Sequence, residues 1–225
     1  MRRASESFTD EQARRINDAV VEAESKTSAE IVPVVATASG RYDRPEDVVG
    51  LWFALAALIG AWLLLPEARG EPGSWGGFPA AAKLVCLLAA VVVGFVAGAV
   101  AATYVGWLRR LFTPRSQMAD EVAAAARQAF FDGRLHYTAG ATGLLVYVSL
   151  YERMATVLAD RAVLDKLGQD ALDELQSRLL DQLRSAGPTE AICGVIRSAG
   201  ERLGKVLPRA EDDVNELPDS LITID

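Results

Sequence analysis

Ala13, Ile16, Val20 and Ala23 recur at helical spacing and predict an amphipathic helix over 9–26. Thr9 supplies an N-cap oxygen there, and Gln12 completes a capping box. The Val-rich stretch "AEIVPVVATAS" (29–39) predicts a strand. Pro33 has no N–H to donate, so it points to an edge strand or to a nitrogen that faces away from a neighbour. One helix and one strand are too little to bury a core.

The rhythm then gives way to two blocks without charge. "VVGLWFALAALIGAWLLL" (48–65) has 18 residues and "LVCLLAAVVVGFVAGAVAATYVGWL" (84–108) has 25. A hydrocarbon core about 30 Å thick takes roughly 20 residues of apolar helix. Trp52, Trp62, Trp75, Tyr104 and Trp107 fall near the block ends, where interfacial aromatic residues sit. The competing reading is a pair of buried core helices, but a domain this small could not wrap both. The intervening "PEARGEPGSWGGFPAAAK" is rich in Gly and Pro and reads as a short exposed connection. Gly94 and Gly98 of "GFVAG" fit the small-xxx-small pattern that lets helices touch, which suits packing the two spans together, with a dimer contact as the alternative.

Beyond the blocks, soluble patterning returns. Met118, Val122, Ala125, Ala129 and Phe130 share one face of a helix over 117–132, with Gly133 as its expected C-cap. "TGLLVYVSL" (142–150) is almost wholly apolar, as a strand buried on both faces requires. "RMATVLAD" (153–160) follows through "YER" as the second strand of a hairpin. Leu172, Leu175, Leu179 and Leu183 stripe one helix. Ala191, Ile192, Val195, Ala199, Leu203 and Val206 stripe another, which starts at Gly187-Pro188. The acidic tail "EDDVNELPDSLITID" is expected to end in a short apolar strand. The expected organisation is one split α/β domain, 1–47 with 109–225, interrupted by a two-helix transmembrane hairpin over 48–108.

Charge bears on placement. Arg41, Arg44, Arg109, Arg110 and Arg115 flank the blocks on the outside, against Arg69 and Lys83 in the connection. That bias puts both flanks in the cytoplasm, and the N-terminal stretch lacks the apolar core of a signal peptide. The expected location is a bacterial inner membrane with a cytoplasmic body. The net charge of −7 argues against nucleic-acid binding, which needs clustered Lys and Arg.

The chemistry is sparse. Cys86 and Cys193 are not expected to pair, and one histidine (His136) cannot build a zinc site with them. Six residues after Cys193 stands Ala199, so the Cys-x5-Arg loop is absent, and no Gly-x-Ser-x-Gly elbow occurs. "GERLGK" (200–205) mimics a phosphate loop but is one residue short and sits in a helical pattern. Carboxylates remain. Asp160 closes a strand, Glu152 lies in the hairpin turn, and Asp212 and Asp213 crowd the tail near Asn215 and Glu216. Hard cations such as calcium want several such oxygens. The competing readings are a cap or turn role for Asp160, beside Arg161 or Arg153, and a solvated acidic segment for the tail.

Taken together, "FTDEQARRINDAVVEAESKTSAEIVPVV", "TGLLVYVS…ER…VLADR" and the terminal "NELPD" resemble the TPM domain family, in its bacterial membrane-protein branch. The likeness runs through most of the soluble chain. It implies an α/β/α sandwich with a small, central mixed sheet. Relatives include thylakoid proteins linked to photosystem repair and a receptor modulator. The resemblance also implies acid phosphatase activity or divalent-cation binding.

The expected function is a membrane-anchored, non-enzymatic interaction or scaffold module. It would carry a calcium or other divalent-cation site drawn from Asp160, Glu152, Asp212 and Asp213. Its partners would be the lipid bilayer and another membrane or membrane-associated protein. The alternative is a membrane-tethered phosphatase that uses a metal-activated water.

Overall fold

The computed structural model describes residues 3–42, 44–65, 79–105, 110–138, 140–210, 215–217 and 220–225. The chain divides into two compact units, Met1–Gly40 with Ser116–Asp225 and, separately, Arg41–Arg115.

The first unit is built on a four-stranded mixed sheet in the order β3-β2-β1-β4. Strand β1 (Glu30–Ala36) runs parallel to β2 (Gly143–Ser149), paired from Glu30↔Gly143 to Ala36↔Ser149. Strand β3 (Met154–Ala159) returns antiparallel to β2, and β4 (Ile222–Ile224) lies parallel to the other edge of β1. Side chains alternate across a strand, so each parity meets its own core. Ile31, Val35, Leu144, Val146 and Val148 pack with buried residues of α2 (Asp10–Glu24), α7 (Gln169–Ser185) and α8 (Pro188–Val206). Val32, Val34, Leu145 and Tyr147 pack with Val122 and Ala126 of α5 (Arg115–Asp132) and with Leu135. Helices therefore cover both faces, which is why β1 and β2 are buried at every position. Each fully buried Leu or Val of these strands contributes about 1.5–3 kcal/mol.

Local signals account for the boundaries. The Thr9–Gln12 capping box forms in both directions, at 3.2 Å and 2.9 Å. Thr9→Ala is expected to cost about 1 kcal/mol. For a unit of this size, that is a fall of about 2–4 °C in the thermal midpoint by circular dichroism. Pro33 is not on an edge strand. Glu30 donates its N–H toward β2, to the Thr142 carbonyl, while Thr37 donates to Ile224 of β4. Alternation puts the Pro33 nitrogen on the β4 side, and pairing there begins only at Val34↔Ile222. Gly133 is not left-handed either. That conformation falls to Arg134 (φ 56°), while a Cβ on Gly133 would meet Leu135 Cδ1 at 2.8 Å. On α5 the fully buried positions are Met118, Val122 and Ala126; Ala125, Ala129 and Phe130 flank them, half-buried. The short helices α1 (Ala4–Ser7) and α6 (Arg161–Leu167) and the 3-10 turn Leu135–Tyr137 carry no periodic pattern long enough to read.

The second unit pairs α3 (Arg44–Leu64) with α4 (Ala80–Tyr104), helices of 21 and 25 residues. At 1.5 Å per residue these span about 31 and 37 Å. They run antiparallel in close contact through glycine. A Cβ on Gly94 would lie 2.7 Å from Ala57 Cβ, and one on Gly98 would lie 2.7 Å from Phe53 Cβ and 3.0 Å from Gly50 Cα. Leu51, Trp52, Ile59 and Leu63 of α3, and Leu84, Leu88, Val92 and Val96 of α4, are more than half exposed. Both helices are long and apolar enough to cross a membrane. Near the connection, the Lys83 ammonium sits 3.9 Å over the Trp62 ring.

Candidate functional sites at the two ends of the sheet

Open α/β sheets gather ligands beyond the carboxyl ends of their parallel strands. Here that end is built from the segments after Ala36, Ser149 and Ile224. The β2–β3 turn is tied to β1 by the Leu150 and Tyr151 N–H groups, which donate to the Ala36 and Thr37 carbonyls at 3.0 Å. Arg153 closes the turn in the left-handed region (φ 53°). This holds the Glu152 carboxylate inside, 2% exposed. It accepts the Ser39 N–H at 2.9 Å and the hydroxyl of Ser149, itself fully buried. The Ser39 and Tyr147 hydroxyls share a hydrogen bond of 3.0 Å. Burial pushes the Tyr147 phenol above its ordinary range; the Ser39 bond opposes this, and the charge of Glu152 adds to it. Ser39 thus stands at a buried polar knot, two residues before the chain passes into the helical unit.

Asp225 joins the same end of the sheet. It accepts from the Ser5 hydroxyl (2.5 Å), the Ser5 N–H (3.2 Å) and the Thr37 hydroxyl (3.0 Å). The Ser5 donors hold its carboxyl below the usual range. A depressed carboxyl steadies the fold above its unfolded pKa and loses that effect as pH falls through the folded value. Acidification is therefore expected to lower the protection factors of the Ala4 and Ser5 amides, relative to intrinsic exchange at each pH, before those of the β2 amides, read by NMR.

Asp160 lies at the other end. β3 runs antiparallel, so its last residues sit beside the start of β2, and the Asp160 N–H donates to the Gly143 carbonyl at 2.8 Å. Its side chain caps α6 by accepting the Arg161 N–H at 2.6 Å, and its Oδ2 is buried with no hydrogen-bond partner among the described residues. Six strand steps separate this point from Ser149, roughly 20 Å. Asp160 and Glu152 therefore cannot hold the same ion. Asp212 and Asp213 lie outside the described residues. Their neighbours Asn215 and Glu216 reach the amino end of β1. The Glu216 N–H donates to Glu30 at 3.1 Å, and Glu24 accepts the Ile31 N–H at 2.8 Å. Glu24, Glu30, Arg209 and Asn215 help line a cleft of about 50 Å³. Among the described residues, no group of three or more His, Cys, Asp or Glu is arranged to hold a metal.

The remaining candidates resolve into packing. The His136 ring lies against Phe131 and Tyr137, with centroids 4.9 and 4.2 Å away, and its Nδ1 is buried with no hydrogen-bond partner among the described residues. Cys86 and Cys193 are unpaired with each other. Burial pushes the Cys193 thiol up, the direction of an unreactive sulfur. "GERLGK" is part of α8, where a Cβ on Gly200 would meet the Ala23 Cβ of α2 at 2.6 Å. Its first glycine serves helix contact.

Sequence reading placed Glu152 in the turn but missed Ser39, Tyr147, Ser149 and Asp225. The available signal was polar residues ending apolar runs, "TAS" and "VS". Nothing local connects Ser39 to a carboxylate 113 residues away.

No known protein family and no curated protein matches the sequence. In fold, the chain is similar to the BA42 protein of the psychrophilic bacterium Bizionia argentinensis, solved by NMR. The two share 17% identity and a TM-score of 0.57 over 99% of each chain. At that identity the likeness speaks to fold alone.

Proposed function

We propose that this protein is a bilayer-anchored α/β module of the TPM type, held at the cytoplasmic face of a bacterial inner membrane and serving as an interaction scaffold. The observation that carries the reading is the surface of the helical unit. Its two helices meet through Gly50, Ala54, Ala57, Gly94 and Gly98 and turn Leu, Val, Ile and Trp outward. Water would oppose so large an apolar face, and lipid accepts it.

Support for a scaffold over a hydrolase comes from the carboxylates. Glu152 is engaged by donors of its own chain, and Asp160 caps a helix at the far end of the sheet. A metal-activated water needs several oxygens converging on one point.

Fractionation of cells expressing the full chain tests the anchor. The protein is expected in the membrane pellet after an alkaline carbonate wash. A chain whose 41–115 segment is replaced by a Gly/Ser linker is expected in the soluble fraction. Release of the full chain by carbonate would contradict the anchor. Phosphatase turnover by the purified full chain, abolished by chelation, would contradict the scaffold.

A further inference from the structure

The helical unit carries its charge unevenly. Residues 41–115 hold seven basic and five acidic side chains, whereas the α/β unit holds 16 basic and 25 acidic. Within the helical unit, five of the seven cations belong to the outer flanks: Arg41, Arg44, Arg109, Arg110 and Arg115. The antiparallel contacts of Gly50 with Phe95 and of Gly98 with Gly50 and Phe53 bring the start of α3 beside the end of α4. Chain connectivity therefore delivers both flanks to one end of the hairpin. Arg41 and Arg115 are exposed there and Arg110 is half-buried. Asp43, Glu46 and Asp47 lie on the same flank and offset three of these five charges.

The opposite end differs. Lys83 is only 6% exposed, folded over Trp62. Its cation faces an indole. The end with the arginines also presents Trp52 and Tyr104, 59% and 85% exposed. Amphipathic rings of this kind settle at headgroup depth. That level sets neighbouring guanidinium groups among lipid phosphates, which their planar fork of donors matches.

We propose that Arg41, Arg110 and Arg115 form a collar that selects anionic phospholipid headgroups around the outer end of the hairpin. The inference rests on the membrane reading above. The collar would also hold the chain to an anionic leaflet that repels the acidic α/β unit. Each arginine at such a surface favours the anionic lipid by roughly fivefold, an effect that weakens as salt screens it.

The test is lipid selectivity of the full chain in phosphatidylcholine vesicles, by electron spin resonance of labelled lipid. Labelled phosphatidylglycerol is compared with labelled phosphatidylcholine. Wild type is expected to immobilise phosphatidylglycerol in preference by about fivefold or more. R41Q/R110Q/R115Q is expected to cut the preference severalfold, with Arg44 and Arg109 sustaining any remainder, and high salt to weaken it in part. K83Q should keep the preference. Parity in wild type, or a preference undiminished by the triple substitution, overturns the collar. Incorporation is scored first, by flotation after a carbonate wash. A chain that fails to float sinks the membrane reading together with this one. A floating chain without preference sinks the collar alone.

Discussion

Glu152→Ala is expected to destabilise the α/β unit more than any other single change at the ends of its sheet. The carboxylate serves the Ser39 N–H and the Ser149 hydroxyl, and Ser149 is fully buried. Truncation leaves the fully buried Ser149 hydroxyl and the part-buried Ser39 N–H without their acceptor. A stranded buried donor costs about 1–3 kcal/mol, so the pair sets a loss of about 2–4 kcal/mol. Thermal unfolding of the full chain in detergent should show a midpoint lower by roughly 5–15 °C. Glu152→Gln keeps a carbonyl for Ser39 and should lose about half as much. It also removes the negative charge that helps raise the Tyr147 phenol, so that tyrosine should titrate at lower pH in the variant. The sign follows from linkage: a raised phenol contributes stability below its ordinary pKa and loses it as pH climbs through the folded value. A midpoint unchanged in Glu152→Ala would mean that the knot at Ser39 does not hold the turn.

Gly98→Leu is the second large effect, and it falls on the helical unit. The new Cβ would stand 2.7 Å from Phe53 Cβ and 3.0 Å from Gly50 Cα, so backbone as well as side chain must yield. Overpacking of this kind costs about 1–3 kcal/mol in a soluble core. In a hairpin whose association depends on close packing, it should force the helices apart. Spin labels on the exposed Leu55 and Val92 positions, measured by double electron–electron resonance in nanodiscs, are expected to report a longer and broader distance. Gly60→Leu is the matched control, because a Cβ there meets nothing within 4 Å. Equal distance distributions in the two variants would remove the glycine contact as the cause of pairing.

Much of the architecture was legible because its causes are local. The capping box, the helical stripes of α2, α7 and α8, and the uninterrupted apolar run of β2 each follow from spacing alone. The small-xxx-small pair Gly94 and Gly98 was read as packing between the two blocks, and the contacts with Phe53 and Ala57 match it. Strand neighbours were not legible. Pro33 left open an edge strand or a nitrogen facing away from a neighbour; β1 is interior and the second holds, since the short β4 leaves the proline nitrogen unopposed. That Asp160 closes a strand was legible; which end of the sheet it stands at was not. An antiparallel return carries its last residue to the amino end of the parallel strands. The knot at Ser39 depends on contacts across more than a hundred residues, which no periodicity encodes.

In the proposed topology, residues 41–115 cross a bilayer twice and return the chain to the side it left. Single cysteines at Ser74 and Ser185, in a chain with Cys86→Ala and Cys193→Ala, test it through an impermeant maleimide on sealed membrane vesicles of each orientation. The Ser74 position is expected to label only from the outer face and the Ser185 position only from the cytoplasmic face. Labelling of both from one face would contradict it.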